Sequence, residues 1–442
     1  MIEKQLCEQL FAAAVQSDHA DEVFIVLRAT DEAALRFAAN VRDPMHQTSA
    51  LSLTVSVRKG NRYATVTGNE ANEQEVRALV RRAADLTSVM PDIPDGLPFP
   101  SAVDIPTAPL FDQYAPERIP AWFADSVLPA LDDAVNKHGL LYSGSVAAGT
   151  SVLSLATSNG LFLYQPSSLG HLHVRVFDTN GRSTAFGERF HKEYGALDFK
   201  HVIARISETC RAWRKPEEIP PRRITTVFEP RALADMLAPM MRQFSRQAIE
   251  QEQSFLRRLD GSSFLGSRMF DERVTLRSDP YDQRLPSMPF TGDGQIVRPE
   301  HWIDRGVIAQ LITDRYDAAL KNVKPVAAPT NLVMDVADPV RDLIAETEHG
   351  ILVKGFSDLN IIDPGNCLLR GSTRDGVFLI EDGEITAPVR NLLLRETPVY
   401  LLKELLAIGV PEVTSTTGNY FPMLLPPIRV KDVMYTQLSG LV

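Results

Sequence analysis

Residues 363–394 read DPGNCLLRGSTRDGVFLIEDGEITAPVRNLLL, and this stretch carries the most specific structural signal in the chain. VFLIE, from Val377 to Glu381, is an apolar run of strand length. Asp382-Gly383 is a turn dipeptide whose glycine supplies φ > 0, and EITAPV then resumes in extended form. The segment is therefore two β-strands around a tight turn. Outward from it, the residues after 222 alternate short strands with Gly and Pro turns. That pattern predicts a mainly antiparallel, barrel-like β domain.

Upstream, KPEEIPPRR (215–223) reads as a linker, with Pro216, Pro220 and Pro221 keeping the chain extended. At 442 residues the chain is too long for one ordinary domain. The expectation is an α+β protein. Residues 1–215 form an N-terminal α/β domain with a mixed sheet and flanking helices, and residues 222–442 form the β-rich, barrel-like domain.

In the first half, MIEKQLCEQLFAAAV predicts an amphipathic helix with Leu6, Leu10, Phe11 and Val15 on one stripe. Its charges at Glu3, Lys4 and Glu8 do not suit a secretory signal. A strand, EVFIVLRAT, is entered through His19-Ala20-Asp21-Glu22-Val23. LSLTVSVR alternates apolar and polar residues as a half-exposed strand does. Asn72 is placed to cap a helix whose stripe is Val76, Leu79, Val80 and Ala83. The proline-rich residues 90–120 predict an extended surface connection, with a helix after Pro120. In the β-rich region that follows, Ser158-Asn159-Gly160 and Thr179-Asn180-Gly181 are tight-turn signals.

A hydrophobic fraction of 44% and a charged fraction of 23% are those of a globular protein. No apolar run approaches the ~18 residues of a membrane span. Three widely spaced cysteines, Cys7, Cys210 and Cys367, suggest free thiols in a reducing cytoplasm. A net charge of −10 argues against nucleic acid as a partner.

The order of a strand, the Glu-Asp-Gly turn, a Glu-Ile strand and Pro388-Val389-Arg390 resembles the C-terminal signature of the TldD/PmbA family. The family includes modulators of DNA gyrase. It pairs a zinc-peptidase subunit with a metal-free sister, TldE or PmbA, and the two enclose a chamber that admits unfolded peptide. In the zinc subunit, His-Glu-x-x-x-His on a helix supplies two ligands and the Glu base, and a Cys on a later strand supplies the third ligand. Here the corresponding helix, LADMLAPMMRQFSRQAIEQEQSFL, has no histidine. The resemblance places the ligand positions near Leu237 and Arg242, and the third near Val353 in TEHGILVKGF.

The resemblance thus implies a TldE/PmbA-like subunit that is not active alone and has no metal, cofactor or catalytic residue of its own. Its partner would be a TldD-like metallopeptidase subunit carrying the zinc, in a cytoplasmic heterodimer. A homodimer is one form open to the chain when alone. Peptide- or partner-facing positions would be Gln253, Ser254, Phe255, His349 and Gly350. Phe244, Phe255 and Phe264 would add an apolar contribution or simply pack the core.

Other constellations are open to the residues themselves. His171 and His173 alternate on a strand, and with His191 they could form a three-histidine metal set. Glu348-His349 could be an acid–base pair, and Cys367 a nucleophile or a buried thiol. Thr291-Gly292-Asp293-Gly294 and Ser143-Gly144 read as turns rather than phosphate loops. Two alternatives follow: an autonomous hydrolase with a relocated site, or a binding regulator of a topoisomerase or toxin system.

Overall fold

The computed structural model describes every residue except 1, 16–19, 113–114, 182, 417–418 and 441–442. His19, at the start of the first expected strand, lies outside the described residues.

The first half is built on strands β1 (Glu22–Ala38), β2 (Val41–Arg42), β3 (His46–Lys59), β4 (Arg62–Gly68), β5 (Leu141–Thr157), β6 (Phe162–Phe177) and β7 (Thr184–His191). Their order is β4-β3-β1-β5-β6-β7, with β2 on β1. Every pairing is antiparallel, so the expectation of a mixed sheet is corrected. The physical reason is that most neighbours are joined by hairpins, and the one long excursion, between β4 and β5, returns antiparallel beside β1. The predicted turns are present. Gly160 N–H donates to Thr157 O at 3.1 Å, and Gly181 N–H to Asp178 O at 3.0 Å.

Helices α1 (Lys4–Val15) and α2 (Glu73–Leu86) cover one end of the sheet, and α3 (Ala115–Trp122), α4 (Leu128–His138) and α5 (Phe199–Ala212) cover the other. Asn72 caps α2 by accepting from Glu75 N–H at 2.8 Å, and Val76, Leu79, Val80 and Ala83 are buried. In α1, Leu10 and Phe11 are buried, whereas Val15 is 49% exposed. Cys7 and Ala14 complete that stripe instead. The proline-rich connection is not purely a surface segment, because Ala108 and Ile119 are buried and Phe99 packs on Phe24 and Tyr63. The helix there begins before Pro120, not after it.

The second half contains β8 (Arg223–Phe228), β9 (Thr275–Ser278), β10 (Glu300–Asp304), β11 (Val307–Ile308), β12 (Leu332–Asp335), β13 (His349–Val353), β14 (Phe356–Asp363), β15 (Leu368–Thr373), β16 (Val377–Glu381), β17 (Glu384–Pro388), β18 (Leu392–Glu396), β19 (Leu405–Ile408), β20 (Glu412–Thr416), β21 (Asn419–Leu425) and β22 (Ile428–Leu438). Among the described residues they form two open sheets and no closed barrel: β11-β10-β9-β12-β21-β20, and β14-β15-β18-β22-β8-β13-β16-β17 with β19 on β22. Mixed pairing occurs here, since β12 is parallel to β21 and β8 to β13. The hairpin read from the sequence is β16–β17. Asp382 at φ 50° and Gly383 at φ 81° make the two left-handed corners that a tight two-residue turn needs.

Helix α6 (Pro230–Arg242) lies between these two sheets, starting at a proline whose fixed φ suits a first helical turn. The six-stranded sheet, all of it from the second half, packs against both halves. Leu332 and Met334 of β12 point into the core around α6, while Val333 packs with Phe190 and Leu285 against the N-terminal sheet. No helix among the described residues is long and apolar enough to cross a membrane.

Candidate functional site

Along α6, Leu233, Met236, Leu237 and Met240 are buried. Asp235, Ala238 and Arg242, at i, i+3 and i+7, share a different face, which lines a cavity of about 580 Å³. Phe356 and Ser357 of β14, Phe421 of β21 and Arg374 complete its walls, and Arg175 reaches in from β6 of the N-terminal sheet.

Behind the cavity lies a cluster of charges that joins the two halves. Asp375, only 1% exposed and at φ 63°, sits in the turn between β15 and β16. It takes an ion pair from Arg175 Nη1, a second from Arg231 Nη1 at 3.5 Å, and a hydrogen bond from Thr184 Oγ1 at 3.3 Å. Both guanidinium groups lie on the ring of Phe186, at 5.2 and 4.9 Å from its centroid. Gly355 makes the room: a Cβ there would fall 2.2 Å from Arg231 Nη2. Glu229, just before α6, receives Lys354 Nζ at 2.8 Å and Arg205 Nη2 at 3.3 Å. Burial pushes its carboxyl up, but the cations of Lys354, Arg205 and Arg231 outweigh burial and hold it below the usual carboxylate range.

The positions compared with the zinc ligands do not share this cavity. Leu237 and Val353 are fully buried in the core, and only Arg242 reaches the cavity wall. Aliphatic side chains offer no lone pair and a guanidinium carries positive charge, so this trio does not fit zinc. Among the described residues, no group of three or more His, Cys, Asp or Glu is arranged to hold a metal ion.

The three-histidine set is split by the sheet. His171 and His173 are on one face of β6, with ring centroids 5.5 Å apart. His191 pairs with Gly170 in the ladder, and this register turns its side chain to the opposite face. Instead, Glu188 lies across from His173 and accepts from His171 Nε2 at 2.9 Å. Burial pushes the His173 imidazole down. Cys367 is buried among apolar residues, and burial pushes its thiol up to about 12. Cys7 and Cys210 are likewise buried and free.

The positions expected to face peptide or partner are scattered. Gln253 is exposed, and its N–H donates to Ala248 O at 2.8 Å. Ser254 is buried, with its hydroxyl donating to Gln243 O and accepting from Leu256 N–H. Phe255 packs edge-on against Phe244 and lines a second surface cavity beside Phe264. His349 is exposed at the start of β13, opposite Glu381. Gly350 is buried, where a Cβ would lie 2.7 Å from Thr225 O. Gly294 sits in a turn as expected, but Ser143-Gly144 lies inside β5, with Gly144 close against His173 O.

Sequence reading did not single out Arg175, Arg231, Arg374 or Asp375. The one available signal was a charged pair, Arg374-Asp375, between two apolar strands.

This architecture, with α6 between two open sheets and a cavity along its polar face, defines a two-part α+β protein. Residues 221–437 match the family model for the PmbA/TldA metallopeptidase C-terminal domain. The chain belongs to the TldD/PmbA family. Its fold is similar along nearly the whole chain to that of TldE from Thermococcus kodakarensis, with a TM-score of 0.86, 17% identity, and coverage of 98% of this chain and 100% of that one. A candidate modulator of DNA gyrase from Bacteroides thetaiotaomicron gives 0.83, 20% identity, and coverage of 99% and 100%. A second such candidate, from Thermotoga maritima, gives 0.80, 16% identity, and coverage of 98% and 100%. No curated protein matches the chain by sequence.

Proposed function

We propose that this chain is the non-catalytic, TldE/PmbA-like subunit of a two-subunit zinc metallopeptidase acting on unfolded peptides, such as ribosomal peptide precursors or antitoxins. The observation that carries this reading is the face of α6, where a peptide-sized cavity is lined by Asp235, Ala238 and Arg242 and, among the described residues, by no imidazole or thiol. β14, at the edge of the nine-stranded sheet, runs along the same cavity, so an extended peptide can pair with its free backbone groups. In this reading a TldD-type partner supplies zinc and the Glu base, and this chain shapes the chamber. The likeness to the Thermococcus TldE fold supports it.

Co-expression with a TldD-type partner should give a stoichiometric complex that contains zinc and cleaves an unfolded peptide, whereas the chain alone should do neither. Tight zinc binding and peptide hydrolysis by the purified chain alone would refute the proposal.

A second reading, regulation of a topoisomerase, draws on the names of the Bacteroides and Thermotoga proteins. The net charge of −10 weighs against direct contact with DNA. Affinity capture with gyrase as bait, returning no complex, would remove it.

A further inference from the structure

The cavity wall carries three guanidinium groups, of which Arg242 and Arg374 have no carboxylate partner among the described residues. Arg175, Arg242 and Arg374 line it, against Asp235 and Asp358. The Arg242 side chain has no hydrogen bond or ion pair among the described residues. Arg374 donates from Nη1 to the neutral hydroxyl Ser357 Oγ at 3.2 Å and has no carboxylate partner among the described residues. Arg175 shares the single carboxylate of Asp375 with Arg231. A guanidinium on a cavity wall without a carboxylate partner can pair with an anionic group that enters the cavity. Guanidinium groups match a carboxylate in shape as well as charge, through two parallel N–H···O bonds.

We propose that Arg175, Arg242 and Arg374 form a carboxylate-recognition site, which selects the anionic part of the peptide that the cavity holds. This rests on the peptide-chamber reading above and adds a substrate class to it. The carboxylate comes either from the peptide's C-terminus or from an Asp or Glu side chain, since both present the same pair of oxygens. The chain's overall charge of −10 repels anions at long range, so the selection is local to this wall.

Fluorescence anisotropy on the full chain tests the assignment with three short unstructured probes of one parent sequence. One is neutral with an amidated C-terminus, one has a free C-terminus, and one is amidated with a single glutamate. At least one carboxylate-bearing probe should bind about tenfold or more tighter than the neutral one, the scale of a charge-assisted hydrogen bond. Which of the two gains identifies the source of the carboxylate. The gap should close in Arg242→Gln and in Arg374→Gln. Arg242 is exposed and unpaired, so its substitution leaves the fold intact, and thermal unfolding of both variants checks this.

Equal binding of all three probes, or a gap that survives both substitutions, overturns the carboxylate site while leaving the peptide chamber in place. If no probe binds either the chain or its complex with a TldD-type partner, both readings fall.

Discussion

The cavity beside α6 and the histidine-bearing face of the N-terminal sheet differ in opposite ways. The sheet face has residue types suited to metal, in His171, His173 and Glu188, but the expected third imidazole, His191, is on the other side of the sheet. The α6 cavity has volume and an edge strand, but Asp235, Ala238 and Arg242 stand on its helical wall. Residue identity without convergence gives no centre, and convergence without metal ligands gives a cavity. The difference teaches that in this chain the site is defined by where surfaces meet rather than by where reactive residue types occur.

The largest expected effect comes from dismantling the charge cluster that places N-terminal β6 against the cavity. Asp375→Ala leaves Arg175 and Arg231 without their carboxylate and should cost about 3 kcal/mol in a denaturant-unfolding measurement. A loss well under 1 kcal/mol would show that the cluster does not tie the two regions together.

Glu229 comes next. Its folded pKa is depressed, chiefly because Lys354 and Arg205 outweigh burial, so it binds protons less readily in the folded state than in the unfolded one. Its contribution is full above the ordinary glutamate pKa of about 4.3 and is lost as pH falls through the lower folded value. Glu229→Gln should therefore cost about 2 kcal/mol near neutrality, and the difference from the parent should shrink in acid. A difference independent of pH would refute the assigned charge.

His173→Ala sharpens the other side of the comparison. The variant should lose less than about 1 kcal/mol and leave the metal content of the purified protein unchanged. Loss of a stoichiometric metal on this substitution would restore the sheet face as a centre. The smallest effect is expected at the cavity wall, where Arg242→Gln should stay within about 0.5 kcal/mol by thermal unfolding, because the side chain is exposed and unpaired. A large loss there would mean that Arg242 holds the fold rather than facing a ligand.

Much of the local structure was legible. The β16–β17 hairpin announced itself because Asp382-Gly383 can adopt left-handed backbone angles at little cost. Helix α2 did so through Asn72 and a stripe with helical spacing. Long-range pairing was not legible. The N-terminal sheet proved antiparallel throughout, and parallel pairs formed in the second half, because the partner of a strand is chosen by packing of remote segments. Val15 and Ala108 show the same limit: the stripe and the proline-rich run predicted their burial incorrectly, since the surface that covers or exposes each lies elsewhere in the chain.

By itself the sequence determined the elements, the family signature in residues 363–394, and the absence of histidine from the helix now seen as α6. These follow from local backbone preference and residue identity, both written within a few positions of one another. Only the tertiary structure decided that Leu237 and Val353 fill the core while Arg242 borders the cavity. It alone placed Arg175, Arg231 and Asp375 together across the two halves. Burial and charge pairing depend on distances between segments remote in sequence, and those distances exist only once the sheets have packed.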